Sequence, residues 1–179
     1  MKISIAPAGR EQELVDLFKS TFAASEGDEE GQLIAGLVQT QLAETPKNDI
    51  YVFTAEEEKV LLGACVFTRL TYAEDERIVF LLSPVAVMTE WQGRGIGQAL
   101  LRHALDALRD AGVDVAMTYG DPNYYQRVGF QPVSEAEAAA PFKLQFPEGW
   151  LGQSLTDRPW SAFSGPSSCV PAMNDPVIW

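Results

Sequence analysis

A strand, a glycine-rich loop, a helix and a second strand follow one another in the middle of this chain, and that order restricts the fold more than any other feature. An apolar run at 78–88 comes first, and three glycines alternate at 93–97. An amphipathic helix at 96–111 and a strand at 113–119 follow. Two parallel strands joined through a helix almost always form a right-handed crossover. The sequence therefore predicts an α/β sheet that contains at least one parallel pair.

The glycine-rich loop predicts an anion-binding helix start. The first N–H groups of a helix lack intrahelical acceptors and carry the positive end of the helix dipole. Glycines let an anion approach these donors closely. The loop does not follow the dinucleotide pattern, because the last glycine of that pattern falls on Gln98 or Leu100. A Gly-Lys-Ser/Thr triplet is absent too, which excludes a Walker A loop.

A proline interrupts the apolar strand that precedes this loop. Proline has no N–H for a β-ladder, so Pro84 predicts a bulge that bends the strand away from one neighbour. Such a bulge would leave the backbone groups of Val85, Ala86 and Val87 without full pairing. We expect an extended ligand that carries amide groups to take the vacant place.

The segments before this unit alternate between helical and strand patterns, and none repeats. Apolar residues recur at helical spacing in two stretches before Pro46, and two strands then flank the charged turn at 56–59. The predicted elements are a strand at 2–6, helices at 10–24 and around 33–42, and strands at 50–54 and 60–70.

The segments after this unit are less regular. Asp121 predicts an N-cap for a short helix with Pro122 at its first position. We expect strands at 129–133 and 142–146, with an Ala/Glu linker between them. The predicted domain covers residues 1–147, and residues 148–179 are expected to form an irregular extension packed on it through Trp150, Trp160 and Trp179.

Composition excludes several classes of partner. A formal net charge of −12 argues against a nucleic-acid partner, which would need clustered Lys and Arg. No apolar run reaches the ~18 residues of a membrane span, and the first residues lack a signal-peptide core, so we expect a cytoplasmic protein without membrane contact. The two cysteines and the single histidine, His103, have no metal-ligand spacing, and no metal is expected. Cys65 is expected to be a small buried apolar residue.

Two motifs, in the right order, resemble the GNAT superfamily of N-acetyltransferases, of the bacterial small-molecule type. The first is Gln92-x-x-Gly95-x-Gly97, preceded by Val85-Ala86-Val87, and the second is Tyr125-x-x-x-Gly129-Phe130. By element order the resemblance extends from Ile3 to about Val133. It implies the GNAT fold, an α/β (α+β) architecture in which a mixed central sheet of about six or seven strands is flanked by about four helices. In that fold a bulged central strand splays from its parallel neighbour.

The resemblance implies transfer of an acetyl group from acetyl-CoA, the cosubstrate, to a primary amine of a small molecule by direct attack. Tyr125 resembles the general acid, since a tyrosine with an unperturbed pKa of ~10 is protonated at neutral pH, and Tyr124 is the fallback. Tyr124 is otherwise expected near the cofactor or in the core. The expected cofactor-binding residues are Val85, Ala86, Val87, Gln92, Gly93, Arg94, Gly95, Ile96, Gly97, Gln98, Asn123 and Tyr124.

The sequence departs from the family pattern at two places. Some members carry a carboxylate on the strand before the Val-Ala-Val position, but here Phe80 to Ser83 offers none. The base is then a water chain or an acid such as Glu90 or Asp121. Family members also often show an Asn near the end of the parallel strand, where this chain has Thr118, with Asn123 nearby.

The activity and the partners leave alternatives open. Two alternative interpretations of the activity remain: a non-catalytic acyl-CoA sensor or partner-binding module, and a protein-lysine acetyltransferase. The sequence also leaves open whether two copies associate as a homodimer. Aromatic side chains near the expected cleft, namely Trp91, Tyr72, Phe80 and Tyr119, hint at an aromatic-lined acceptor pocket.

Overall fold

The computed structural model describes all 179 residues as a mixed α/β protein. Eight strands form a mostly antiparallel sheet in the order β1-β2-β3-β4-β5-β7-β6, with β8 paired to β3. The strands are β1 Lys2–Ile5, β2 Ile50–Glu57, β3 Val60–Tyr72, β4 Val79–Val87, β5 Val115–Tyr119, β6 Gln131–Pro132, β7 Trp150–Ser154 and β8 Ser167–Cys169. The helices are α1 Glu11–Glu26, α2 Asp28–Glu44, α3 Ile96–Asp110 and α4 Pro122–Tyr125. The predicted mixed sheet with four helices is confirmed, with one or two more strands than expected.

The chain divides into two compact units. The first unit contains Met1–Phe67 and Pro84–Ala104, and the second contains Thr68–Ser83 and Leu105–Trp179. No helix in the structure is both long enough and apolar enough to span a bilayer.

The first unit has a core between its two N-terminal helices and its strands. Gly31 of α2 lies so close to α1 that an added Cβ would meet Ala23 Cβ at 2.7 Å. Cys65 is fully buried, as predicted, and burial raises the pKa of its thiol. His103 is exposed on α3 and lies edge-on to Phe53, with ring centroids 6.3 Å apart. The core consists of Leu14, Leu17, Phe18, Val38, Leu61, Ala64, Val66 and Ala86.

The end of α3 follows the local signals in the sequence. Gly112 adopts a left-handed conformation with φ +83°. Its N–H donates to the Arg109 carbonyl, and the Val113 N–H donates to the Leu108 carbonyl, both at 3.0 Å. These two bonds make a Schellman motif, which satisfies carbonyls that the helix end leaves without partners. Gly112 therefore caps the C-terminus of α3.

The second unit contains the only parallel pair, and its ladder has a defined end. β4 and β5 pair from Val79↔Val115 to Leu82↔Thr118, and β5 then pairs antiparallel with β7. Asp121 caps α4, because its side chain accepts a 2.9 Å hydrogen bond from the Asn123 N–H. The predicted parallel crossover and the predicted Asp121 cap are both confirmed.

Two predictions for the C-terminal part are wrong. Residues 142–146 form no strand, because the Phe146 N–H donates instead to the Tyr119 hydroxyl at 2.7 Å. Residues 148–179 are not irregular throughout, since they contain β7 and β8. Trp150 opens β7 fully buried, and Gly152 lets the Trp160 ring approach so closely that an added Cβ would be 2.7 Å from it. β7 depends on contacts with residues that are distant in sequence, and strand propensity does not reveal such contacts.

Candidate functional site

The C-terminal half of β4 leaves its parallel ladder. Pairing with β5 stops at Leu82, five residues before the strand ends at Val87. Burial changes at the same point: residues 79–82 are all buried, and from Ser83 onward half-buried and buried residues alternate. Val85 and Val87 therefore lie on a partly open face of the strand, while Pro84 and Ala86 face the core.

The contacts of β4 with β3 show which edge of β4 is left without a strand partner. The Met88 N–H donates to the Leu62 carbonyl of β3 at 2.8 Å. A Cβ added to Gly63 would lie 3.0 Å from the Ala86 carbonyl oxygen, so this group also faces β3. Because backbone groups alternate along a strand, Val85 and Val87 direct theirs to the opposite edge. Of the three predicted residues, Val85 and Val87 direct their backbone groups to the open edge, whereas the Ala86 carbonyl faces β3.

Gly63 is a closely packed residue beside β4 that the motif analysis did not single out. It lies in β3 beneath both β4 and the first turns of α3, since an added Cβ would also be 3.7 Å from Leu100 Cδ2. An isolated glycine within a strand pattern often marks close backbone approach. That signal was present in the sequence, but it does not identify which backbone approaches.

The glycine-rich loop opens a helix start that no side chain covers. Gly93 and Gly95 have φ of +74° and +78°, and a Cβ at either position would meet no heavy atom within 4 Å. The Gly95 carbonyl accepts the first helical bond, from the Ala99 N–H at 3.0 Å. Gly95 has no side chain to cap the helix, and no acidic residue lies in the first turn of α3. The backbone N–H groups at the start of α3 and the positive end of its helix dipole are therefore accessible to an anion.

The residues after Gly95 anchor this helix start. Ile96 and Gly97 are buried, and Gln98 is half-buried. The exposed part of the loop is therefore Gly93 to Gly95, next to the first turn of α3.

Gln92 connects the loop to the strand through hydrogen bonds. Its side-chain Nε2 donates to the Val87 carbonyl at 3.0 Å, and its backbone N–H donates to the Thr89 carbonyl at 3.3 Å. Both of its donor groups are thus engaged, so the run of free backbone donors begins at Gly93. Gln92 positions the loop at the end of β4.

The family resemblance implies acetyl-CoA as the ligand of this loop, and on that basis we expect Gln92→Glu to weaken acetyl-CoA binding roughly 10-fold, because it replaces a hydrogen bond with two facing oxygens and adds a negative charge beside the loop. Titration calorimetry with acetyl-CoA measures the change in Kd. Gln131→Glu is the matched control, since it adds the same charge on an exposed residue of β6. An equal loss in both variants would show that overall charge, rather than the bond to Val87, sets the affinity.

Arg94 lies over an aromatic ring beside the loop. Its guanidinium carbon is 4.6 Å from the centroid of the Trp91 ring, a cation–π geometry. Arg94 is exposed and Trp91 is half-buried. The ring holds a cation next to the open helix start, where it adds to the positive field.

The second unit holds Tyr125 in a defined aromatic setting. Its ring makes edge contacts with Tyr124 and Phe130, with centroids 5.1 Å and 5.8 Å away. Gly120 at the end of β5 borders the same ring, because an added Cβ would lie 2.7 Å from Tyr125 Cε2. Gly120 is a second residue that sequence analysis missed, because its neighbour comes from the following helix.

The other expected site residues of this unit have separate settings. Asn123 is exposed, and its N–H is used by the Asp121 cap. Thr118 is fully buried, and its hydroxyl donates a 3.0 Å hydrogen bond to the Leu82 carbonyl. This bond connects β5 to β4. Of the two acids considered as a base, Glu90 is exposed in a 3₁₀ turn of the first unit. Asp121 is one turn before Tyr125 on α4.

The four aromatic residues that the sequence placed near a cleft have different settings. Tyr72 and Phe80 are buried, and Tyr72 stacks on Phe163 with centroids 4.1 Å apart. Trp91 belongs to the first unit, and Tyr119 lines a cleft of the second. The structure thus groups the anion cradle in the first unit and the Tyr125 cluster in the second.

Comparison with known proteins agrees with these geometries. Residues 47–132 match the sequence profile of the acetyltransferase (GNAT) domain. The chain is 32% identical over 136 residues to the uncharacterized N-acetyltransferase YjhQ of Escherichia coli K12, covering 73% of this chain and 72% of that protein.

Solved structures share the fold. A GNAT family acetyltransferase from Brucella melitensis, in complex with acetyl-CoA, superposes with a TM-score of 0.72 at 22% identity over 97% of both chains. The GNAT family N-acetyltransferase YhbS of Escherichia coli, in complex with CoA, superposes with a TM-score of 0.80 at 19% identity, over 97% of this chain and 92% of that one.

Proposed function

This chain belongs to the GNAT superfamily of N-acetyltransferases, and from that premise we propose that it transfers the acetyl group of acetyl-CoA to a primary amine of a small molecule. The observation that carries the proposal is the open edge of β4 leading into an uncapped helix start. The edge of β4 that β5 leaves unpaired offers the backbone groups of Val85 and the Val87 N–H, while the Val87 carbonyl accepts from Gln92, which connects this edge to a loop that offers anion-binding donors. A long ligand with amides at one end and phosphates at the other matches both.

Each part of acetyl-CoA has candidate partners among these residues. The backbone groups of Val85 and Val87 bond the amides of the pantetheine arm, and Ala86 supports them by packing on β3. The N–H groups from Gly93 to Gln98, including those of Ile96 and Gly97, bond the pyrophosphate. Arg94 adds a charge-assisted bond to a phosphate, for which a planar guanidinium is well suited.

The reaction needs a neutral amine and a proton for the departing sulfur. The amine nitrogen forms a bond to the thioester carbon while the C–S bond breaks, and the product amide keeps the acetyl group. Tyr125 donates its hydroxyl proton to the sulfur, which leaves as the thiol of CoA. The proton lost by the amine restores Tyr125, either directly or through water. Tyr124 and Asn123 lie on the same short helix and are proposed to border the bound thioester.

Release of free thiol from acetyl-CoA, measured across a panel of primary amines, tests this function. We expect thiol release that depends on the amine and matches the amount of N-acetyl product. Tight acetyl-CoA binding without turnover on any amine would indicate a sensor. Turnover on lysine peptides alone would indicate a protein-lysine acetyltransferase.

Gly120→Ala is expected to lower kcat roughly 10-fold while leaving the Kd of acetyl-CoA unchanged. The added methyl would lie 2.7 Å from Tyr125 Cε2, so the ring must move away from its place. A misplaced acid donates its proton less efficiently, and small displacements of reacting groups have large kinetic effects. Steady-state kinetics with calorimetry separate the two quantities. An unchanged kcat would contradict the positioning role of Gly120.

A further inference from the structure

The β4–β5 pair ends at a side-chain hydrogen bond to which the proposed reaction assigns no role. Thr118 is the last β5 residue that pairs with β4, and its partner is Leu82. The Thr118 hydroxyl donates to the Leu82 carbonyl at 3.0 Å. Because Thr118 is fully buried, its hydroxyl acts within the sheet rather than on a ligand. Its effect on the site follows from what it does to β4.

The directions of the backbone groups along β4 show that this bond lies at the start of a β-bulge. Just before β4, the Ile78 carbonyl accepts from the Val115 N–H of β5 at 3.2 Å. The Leu82 carbonyl accepts from Thr118, so it also faces β5. The Ala86 carbonyl, in contrast, faces β3. Backbone groups four residues apart in a regular strand face the same edge, so one extra residue is inserted between Leu82 and Ala86.

The place of this bulge determines which backbone groups a ligand meets. It lies at 83–85, around Pro84, which has no N–H to donate to a ladder. Beyond it, Val85 and Val87 direct their backbone groups to the edge that β5 leaves unpaired. Backbone groups alternate along a strand, so a bulge shifted by one residue would turn these groups to the other edge.

The Thr118 hydroxyl favours one position for the end of the ladder. The last pair of a ladder has a paired neighbour on one side only, so it opens more readily than the pairs inside. The bond from Thr118 to the Leu82 carbonyl adds to the backbone pairing at this last pair. Both groups are buried, and a buried polar group that loses its partner is costly. A ladder that ended one residue earlier or later would lose this bond.

A second buried threonine of the same unit shows that burial alone does not produce such a bond. Thr68 of β3 is fully buried like Thr118, yet its hydroxyl has no hydrogen-bond partner. The two residues share type, burial and strand setting, and they differ in whether the hydroxyl is used. Thr68 is therefore a matched control for the loss of a buried hydroxyl.

On the basis of the proposed acetyl transfer, we propose that Thr118 is a positioning residue for acetyl-CoA. Its hydroxyl fixes the last β4–β5 pair at Leu82, and so it fixes the bulge that opens the Val85 backbone groups and the Val87 N–H to the pantetheine arm. Thr118 does this without touching the cofactor.

Thr118→Val tests this role, because valine keeps the branched shape and lacks the hydroxyl. We expect the Kd of acetyl-CoA to rise roughly 10-fold, the effect of about one hydrogen bond, in titration calorimetry on the full chain. The second ligand is the 3′-phosphorylated ADP half of CoA, which carries the phosphates without the pantetheine arm. Its Kd should change less than about twofold, because the phosphates are proposed to bind the glycine-rich loop.

Two further variants separate the hydroxyl from packing. Thr118→Ser keeps the hydroxyl and should restore the affinity for acetyl-CoA to within about threefold of the wild type. Thr68→Val removes a hydroxyl that makes no bond, so both affinities should stay unchanged. Equal weakening by Thr118→Ser and Thr118→Val would overturn the proposal, because packing would then be the cause. An unchanged Kd of acetyl-CoA in Thr118→Val, or equal weakening of both ligands, would overturn it as well.

Amide hydrogen exchange without any cofactor distinguishes this inference from the proposed function. Leu82 directs its backbone groups to β5, so its N–H should exchange roughly 10-fold faster in Thr118→Val. It should exchange at the wild-type rate in Thr118→Ser and Thr68→Val. An unchanged Leu82 rate in Thr118→Val overturns the role of the hydroxyl while leaving acetyl transfer intact. A faster rate in a protein that binds no acetyl-CoA supports the role of the hydroxyl at the ladder end and refutes acetyl transfer.

Discussion

Gly95→Val is expected to weaken acetyl-CoA binding by at least about 100-fold, since charge-assisted bonds of the pyrophosphate to two or more backbone donors would be lost. Gly95 has φ +78°, and a Cβ there would project into space that no protein atom within 4 Å occupies. In the proposed complex that space belongs to the phosphates. A β-branched residue is also strained at positive φ, so the loop itself would shift away from the helix start.

Gly112→Val supplies the matched control at the opposite end of the same helix. Gly112 has φ +83° and also has no heavy atom within 4 Å of an added Cβ, so backbone strain and free space are nearly equal at the two positions. We expect both variants to lose stability by a similar amount, roughly 1–2 kcal/mol, measured by thermal unfolding. Only Gly95→Val should show a weakened affinity for acetyl-CoA in calorimetry. Equal affinities in the two variants would mean that the phosphates bind elsewhere.

Tyr125→Phe is expected to lower kcat roughly 100- to 1,000-fold, in the range of a positioned general acid. The Kd of acetyl-CoA should stay within about twofold, because the proposed binding groups are backbone groups of β4 and of the loop. Phenylalanine keeps the ring that makes edge contacts with Phe130 and Tyr124, so the fold should persist. Stopped assays of N-acetyl product give kcat, and calorimetry gives Kd.

Tyr124→Phe tests the neighbouring tyrosine in parallel. A large loss of kcat in this variant, with Tyr125→Phe nearly unaffected, would assign the acid to Tyr124. A loss in neither variant would assign the proton transfer to water or to another group. Because the two rings are only 5.1 Å apart, the kinetic comparison decides between them more sharply than their positions do.

The local features of the site could be predicted from the sequence because they depend on residues within one helical turn. The glycines of the loop, the Gly112 cap and the Asp121 cap each follow from the conformations that their own residues allow. The parallel crossover follows equally, because strand, helix and strand are consecutive in the chain.

The C-terminal strand and the neighbours of the glycines could not be predicted in this way. Residues 142–146 have strand propensity, yet the place beside β5 belongs to Trp150–Ser154. Gly63 and Gly120 are plain single glycines in the sequence, and only the structure shows that one meets Ala86 and the other meets Tyr125.

Residue types and their order along the chain predict a helix start open to an anion, a strand interrupted by proline, and the two motifs of an acetyltransferase. Only the three-dimensional structure shows which backbone groups of that strand are unpaired. It also shows that the side-chain amide and the backbone N–H of Gln92 both donate hydrogen bonds. It also forms a cleft at the C-terminal end of β5. The reason is physical: conformational preferences act over a few residues and can be read along the chain. Strand register and close approach, in contrast, are fixed by packing between segments that are distant in sequence.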